Sequence, residues 1–134
     1  MIPAAEHSER TLGRFRMASH QGRLVGEGVV TGQAGSLRQG RAVALDLRLA
    51  DGTVVEARFR AYGCPATIAA ADLVCERSAG LPAAEAAALP VAGLEAELGL
   101  TPARRGCILV VQDALRAALA APILGLRPKR IPPA

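Results

Sequence analysis

The sequence contains no tryptophan, one tyrosine and two phenylalanines, so aromatics make up 2% of its 134 residues. A core must therefore be assembled from alanine, valine, leucine and isoleucine. That is feasible, because hydrophobic residues supply 51% of the chain. The same scarcity argues against a nucleic-acid partner. The formal net charge of +4 comes from scattered arginines, with no long basic run and no interleaved aromatics on which bases could stack. No unbroken apolar run approaches the roughly 20 residues of a membrane span. The first 20 residues lack the apolar centre of a secretory signal. These absences lead to the expectation of a cytoplasmic protein that engages neither membrane nor nucleic acid.

Cysteine and histidine are scarce as well. Three cysteines, an odd and low number, do not make a disulfide scaffold. In a reducing compartment such thiols are buried, reactive or metal-ligating. None has the Cys-x-x-Cys spacing of a zinc site. His7 and His20 stand alone in the N-terminal segment, where histidines are usually surface residues.

What is present is periodicity. The length suits one domain, expected over residues 7–121, with residues 1–6 frayed and a proline-rich basic tail over 122–134. Ser8 can cap a short helix over 8–16. The text "RLVGEGVVT" (23–31) has some β character and leads into a glycine-rich loop over 32–40. Val43, Leu45, Leu47 and Leu49 then alternate with Ala44, Asp46 and Arg48. Beyond Asp51-Gly52, Val55, Ala57, Phe59 and Ala61 alternate with Glu56, Arg58 and Arg60. Period two on both sides of an Asp-Gly pair predicts an antiparallel hairpin with one face on a core.

After Gly63 the period changes. Pro65 suits the first position of a helix that should run to about Ala79, with Gly80 closing it. Short helices are expected over 82–88 and 91–98, separated by Pro90. A final helix, opened by Thr101 and Pro102, carries Ile108, Val111, Leu115 and Ala118 on one stripe and should end before Pro122. Strands first and helices after predict an α+β fold with helices on one face of a small sheet.

Cys64 sits between a strand and a helix N-terminus, where unpaired N–H groups and the helix dipole favour a thiolate. It is a candidate nucleophile or ligand, or else a small buried side chain in a turn. Pro65 offers no N–H, so stabilising donors must come from Ala66 or Thr67. Cys75, eleven residues on, lies roughly 16 Å along the helix axis and reads as core. Cys107 follows Arg104 and Arg105, which could favour its thiolate. It could equally continue the apolar stripe.

Three separated segments carry a resemblance: "HSERTLGRFRMASHQGRL" (7–24), "ARFRAYGCPATIAAADLVCE" (57–76) and "LTPARRGCILVVQDALRAAL" (100–119). In this order they resemble the NifU/IscU family of iron–sulfur cluster scaffold proteins. The resemblance implies an α+β fold with a three-stranded antiparallel sheet, and a scaffold without turnover chemistry of its own. The family's site has three cysteines, an aspartate and a histidine. Cys64 and Cys107 match two of the cysteines. Gln39 stands in place of the other cysteine, Arg41 in place of the aspartate and Gly106 in place of the histidine. Cys64 and Cys107 are thus the expected cluster, metal or persulfide residues, in an incomplete ligand set. Two thiolates cannot fill the four positions of tetrahedral zinc or iron, and Arg41 repels a cation while favouring a thiolate or persulfide. A transient iron–sulfur cluster is expected as cargo, with little or no zinc. The resemblance implies a cysteine desulfurase as partner. "LTPAR" (100–104) resembles the family's chaperone-recognition segment, but Thr101 and Arg104 depart from it, which puts chaperone binding in doubt. The expected function is that of an assembly scaffold receiving sulfur, iron or both at Cys64 and Cys107. The alternatives are a metal-free persulfide acceptor or regulatory partner of a desulfurase, and a thiol-dependent enzyme, for which no companion histidine lies near either cysteine.

Overall fold

The computed structural model describes residues 7–123. The expected frayed N-terminus at 1–6 and the tail from 124 onward lie outside the described residues. Helix α1 (Glu9–Met17) precedes strands β1 (Val29–Ser36), β2 (Arg41–Ala50) and β3 (Thr53–Tyr62). Helices α2 (Pro65–Ser78), α3 (Ala83–Ala87) and α4 (Val91–Leu98) follow. A 3-10 turn (Pro102–Arg104) then leads into α5 (Arg105–Ile123). The fold is α+β, as expected from the order of the periodicities.

The hairpin forms where the alternation placed it. Asp51 and Gly52 both adopt positive φ, 52° and 76°, the combination a tight two-residue turn requires. The register pairs Leu45 with Phe59 and Leu47 with Ala57. These four, with Val43, are buried on one face of an antiparallel sheet in the order β1-β2-β3. Helices α2 and α5 cover that face, α2 over β3 and α5 over β1 and β2. Each fully buried Leu, Ile or Phe of this layer contributes about 1.5–3 kcal/mol of apolar burial. Helix α5 is also long and apolar enough to cross a membrane by length and composition, but half of it is buried within the fold.

The opposite face is wet at its margins and closed at its centre by an ion pair. Asp46 is 3% exposed and accepts bonds from Arg60 at 2.9 and 3.3 Å, Thr31 Oγ1 at 2.8 Å and Leu24 N–H at 2.9 Å. Burial alone would raise its pKa. Arg60 and these donors outweigh burial and hold the carboxyl below its usual value. A second buried carboxylate, Asp72 on α2, accepts from Arg14 of α1 and from the His20 backbone N–H, each at 2.9 Å. Its Oδ1 also lies 3.0 Å from His20 Nδ1. His20 is therefore not the plain surface residue expected. It ties the N-terminal segment to α2. Beside it, residues 20–22 bond to both sides of Phe59, through Phe59 N–H to His20 O and Gly22 N–H to Phe59 O, each 2.9 Å.

Three boundaries differ from expectation. The first strand is Val29–Ser36, so most of the expected glycine-rich loop is strand. Gly32 on β1 faces α5 so closely that a Cβ there would stand 2.1 Å from Ala114 O and 2.3 Å from Ala118 N. The glycine marks close approach of two backbones, not a loop. Helix α2 stops at Ser78, with Ala79 as its cap and Gly80, at φ 89°, one residue further on. Helix α5 continues through Pro122 to Ile123. At the last turn a proline removes one amide bond but has little helix left to break.

The close approach predicts that Gly32→Val will destabilise the fold by about 3 kcal/mol, read as a lower denaturation midpoint with little change in slope. Gly13, on α1, has nothing within 4 Å of an added Cβ. Gly13→Ala should stabilise the fold by about 0.8 kcal/mol, read as a higher midpoint. Equal effects at the two glycines would refute the packing argument.

Candidate functional site at the paired cysteines

Three elements end together at one edge of the sheet. Strand β3 closes at Tyr62 and the chain turns through Gly63. Cys64 then occupies the N-cap of α2 in extended geometry, with Pro65 in the first turn. Helix α5 starts beside it and presents Cys107 from its first turn. The two sulfurs stand 3.8 Å apart. Cys64 is partly exposed and Cys107 is buried behind it. Cys75 is buried in the core among α2 residues, and burial, reinforced by Asp72, pushes its thiol far up. The sequence reading of Cys75 as core and of Cys64 and Cys107 as a pair agrees with these positions.

The surroundings of the pair are cationic. Arg41 Nη1, from the first residue of β2, lies 3.8 Å from Cys107 Sγ. Arg104 Nη1 lies 3.7 Å from Cys64 Sγ. The sequence assigned Arg104 and Arg105 to Cys107. Instead Arg104 reaches the other cysteine, and Arg105 turns away to Glu95 at 3.0 Å. The 3-10 turn accounts for this, because its tighter winding sets Arg104 at a different angle from the α-helical residues after it. Thr67 was anticipated only as a backbone donor. Its hydroxyl lies 3.6 Å from Cys64 Sγ. The available signal was position: a side chain three residues beyond an N-cap faces back toward it.

These neighbours divide the pair. Burial by itself raises the Cys64 thiol. The Thr67 hydroxyl and N–H, the Cys107 thiol and the Ala66 N–H outweigh burial and hold Cys64 below the ordinary thiol value. Cys64 makes no full side-chain capping bond, so the stabilisation is spread over several weak donors. Burial raises the Cys107 thiol, and the adjacent Cys64 sulfur adds to it. Thr67 and Arg41 offset this only in part. The first proton therefore leaves from Cys64, and Cys107 holds the second.

Gly106 and Arg41 are matched. A Cβ at Gly106 would lie 2.6 Å from Arg41 Nη1. The guanidinium fills the space that a side chain at 106 would need. Gln39 is exposed in the β1–β2 turn, its N–H bonded to Ser36. With Arg41, Gly106, Leu109 and Asp113 it lines an open cleft of about 480 Å³ beside the cysteines. Among the described residues, no three His, Cys, Asp or Glu side chains come together as a metal-binding group.

The family model of the NifU-like N-terminal domain matches residues 6–122. The chain belongs to this family. The iron–sulfur cluster assembly scaffold protein IscU of Haemophilus influenzae is 30% identical over 117 residues, 85% of this chain and 93% of that protein. The protein of the same name from Escherichia coli K12 is 35% identical over 95 residues, 70% of this chain and 74% of its own. Among solved structures, a NifU-like N-terminal domain from Brucella abortus superimposes with a TM-score of 0.66 at 19% identity. That match covers 84% of this chain and 91% of the other. The fold expected of the family is the fold observed. The site in this fold holds two cysteines with a guanidinium within 3.8 Å of each sulfur.

The divided pair predicts an order of thiol reactivity. Alkylation followed against pH, with sites assigned by mass spectrometry, should show Cys64 labelling first and saturating at lower pH than an unperturbed cysteine. Cys75 should resist until the protein unfolds. Labelling of Cys75 first in the folded protein would refute the assignment. The matched Arg41 and Gly106 predict that zinc affinity is weak as the chain stands. The triple substitution Gln39→Cys, Arg41→Asp, Gly106→His should bring bound zinc, by elemental analysis, to about one ion per chain. Arg41→Asp alone should not suffice.

Proposed function

We propose that this protein serves iron–sulfur cluster assembly as a scaffold-type protein that receives sulfur at Cys64 and holds it beside Cys107. One observation carries the reading: two sulfurs 3.8 Å apart, each with a guanidinium within 3.8 Å. The process comes from the relatives, which carry the name of iron–sulfur cluster assembly scaffold proteins. A fly relative is called an assembly enzyme. No turnover chemistry is assigned to this chain.

The sulfur donor is a cysteine desulfurase bearing a persulfide. The Cys64 thiolate attacks the outer sulfur of that persulfide, the donor's S–S bond breaks, and the donor cysteine leaves as thiolate. The result is a persulfide on Cys64. Arg104 and Arg41 stabilise the anions on either side of the transfer, as charge-assisted contacts in a partly buried site do. Iron is cargo, not a resident group. Two cysteines supply half of a tetrahedral set, so a cluster held here needs ligands from a partner, a second copy of the chain or a small thiol. Arg41 beside Cys107 favours a second reading, in which sulfur is accepted and passed on without iron.

The test is anaerobic incubation with a cysteine desulfurase and cysteine, with and without ferrous iron, read by intact mass, visible absorption and metal analysis. Without iron, sulfur should reach Cys64, seen as one added sulfur or, once discharged, as released sulfide with a Cys64–Cys107 disulfide, and neither should appear in Cys64→Ser. Cluster absorption when iron is present supports the scaffold. Persulfide with no absorption supports the second reading. Iron uptake with Cys64 unmodified would overturn both.

A further inference from the structure

The placement of the two cysteines bears on what happens after sulfur arrives. Cys64 faces outward and Cys107, 2% exposed, lies behind it. An incoming sulfur reaches Cys64 from the solvent side. Cys107 Sγ, the buried member of the pair, stands 3.8 Å from Cys64 Sγ, close to van der Waals contact. Disulfide exchange requires attacking, central and leaving sulfurs roughly in line. An outer sulfur directed toward the mouth of the site leaves Cys107 aimed at the inner sulfur from behind.

We infer that Cys107 acts as a resolving thiol: it attacks the inner sulfur of a Cys64 persulfide, releases sulfide and closes a Cys64–Cys107 disulfide. The inference rests on the reading of Cys64 as the sulfur acceptor. The step balances without any outside reagent. The Cys107 Sγ–Cys64 Sγ bond forms, and the bond from Cys64 Sγ to the outer sulfur breaks. The outer sulfur leaves with the bonding electron pair as hydrosulfide, and the Cys107 proton goes to it or to water. The transferred sulfur gains two electrons, and each cysteine sulfur loses one. Closing the disulfide needs the sulfurs to move from 3.8 Å to about 2.05 Å, within reach of a side-chain rotation at a helix cap and a first helical turn. Cys75, in the core, takes no part. A dithiol reductant returns the pair to two thiols for another round.

The consequence is chemical. Assembly of iron with sulfur requires sulfide, and a persulfide carries sulfur two electrons too oxidised. The paired thiols here supply those electrons from within the chain.

The experiment loads the full-length protein with inorganic polysulfide, removes excess reagent anaerobically, and follows sulfide release and intact mass without added thiol. Inorganic polysulfide keeps the test independent of any desulfurase. The unsubstituted chain should release a stoichiometric amount of sulfide and lose two hydrogens. Peptide mapping should find Cys64 joined to Cys107 within one chain. In Cys107→Ser, sulfide release should fall by about tenfold or more, with one added sulfur retained on Cys64. Cys107→Ala, checked by circular dichroism for an intact fold, guards against misfolding of the serine variant. Equal sulfide release from the Cys107 variants, a stable persulfide on the parent chain, linkage only between chains, or loading at Cys107 and not Cys64 would each overturn the inference. If polysulfide loading and discharge succeed while a desulfurase fails to load Cys64, the resolving chemistry stands and the proposed sulfur donor does not.

Discussion

The structure depends on how closely α5 lies against β1. A helix backbone rests on a strand backbone at Gly32, with Ala114 and Ala118 opposite. Small residues on both sides are the condition for that contact. It allows Leu115, Leu119, Ile108 and Val111 to reach the sheet and become almost fully buried. It also fixes the start of α5. Cys107 is in the first turn of this helix, so its height above the sheet is set three turns away, where the helix touches β1. Cys64 is placed independently by the end of β3 and the cap of α2. The sulfur–sulfur distance is therefore set largely by core packing, with the weak contacts of Cys107 and Arg104 to Cys64 added to it.

The N-terminal segment makes that packing one-sided. Asp72 on α2 holds Arg14 and the His20 backbone, and Asp46 on β2 holds the Leu24 backbone and Arg60. Two buried carboxylates thus stitch residues 14–24 across α2 and onto the outer face of the sheet. Removing either carboxylate would strand an arginine or backbone donors in a partly buried place, which costs more than the pair contributes. With the outer face closed this way, α2 and α5 take the inner face.

The hairpin and the long helices were legible in the sequence because each has an unambiguous period and a turn residue at its boundary. Val43 to Leu49 and Val55 to Ala61 alternate, and Asp51-Gly52 divides them. The first strand was not legible. Its glycines lower strand propensity, and only the tertiary contact between Gly32 and α5 explains them. Cys64 and Cys107 were legible through the resemblance of three separated segments. Their spacing, 43 residues apart, says nothing alone. The direction of Arg104 was beyond the sequence, because it follows from a single 3-10 turn. Thr67 was half legible, as a backbone donor whose side chain proves to matter too.

Arg41 and Gly106 are best understood together. The Arg41 side chain passes between Gly63 and Gly106, and a Cβ would meet it at 3.3 Å on one side and 2.6 Å on the other. A side chain at 106 would have to displace the Arg41 guanidinium, the far end of a flexible side chain. An aspartate at 41 with glycine at 106 would leave a hollow beside two thiols and remove the positive charge that favours their anions. Substitutions at 41 and 106 are therefore expected to be non-additive, as for other groups in contact. Sulfur chemistry requires a cation beside the thiolate, and a metal ion and a guanidinium are alternative ways to provide it. The metal takes up the sulfur lone pairs in coordination. A guanidinium leaves them available, which suits a thiolate that is to act as a nucleophile.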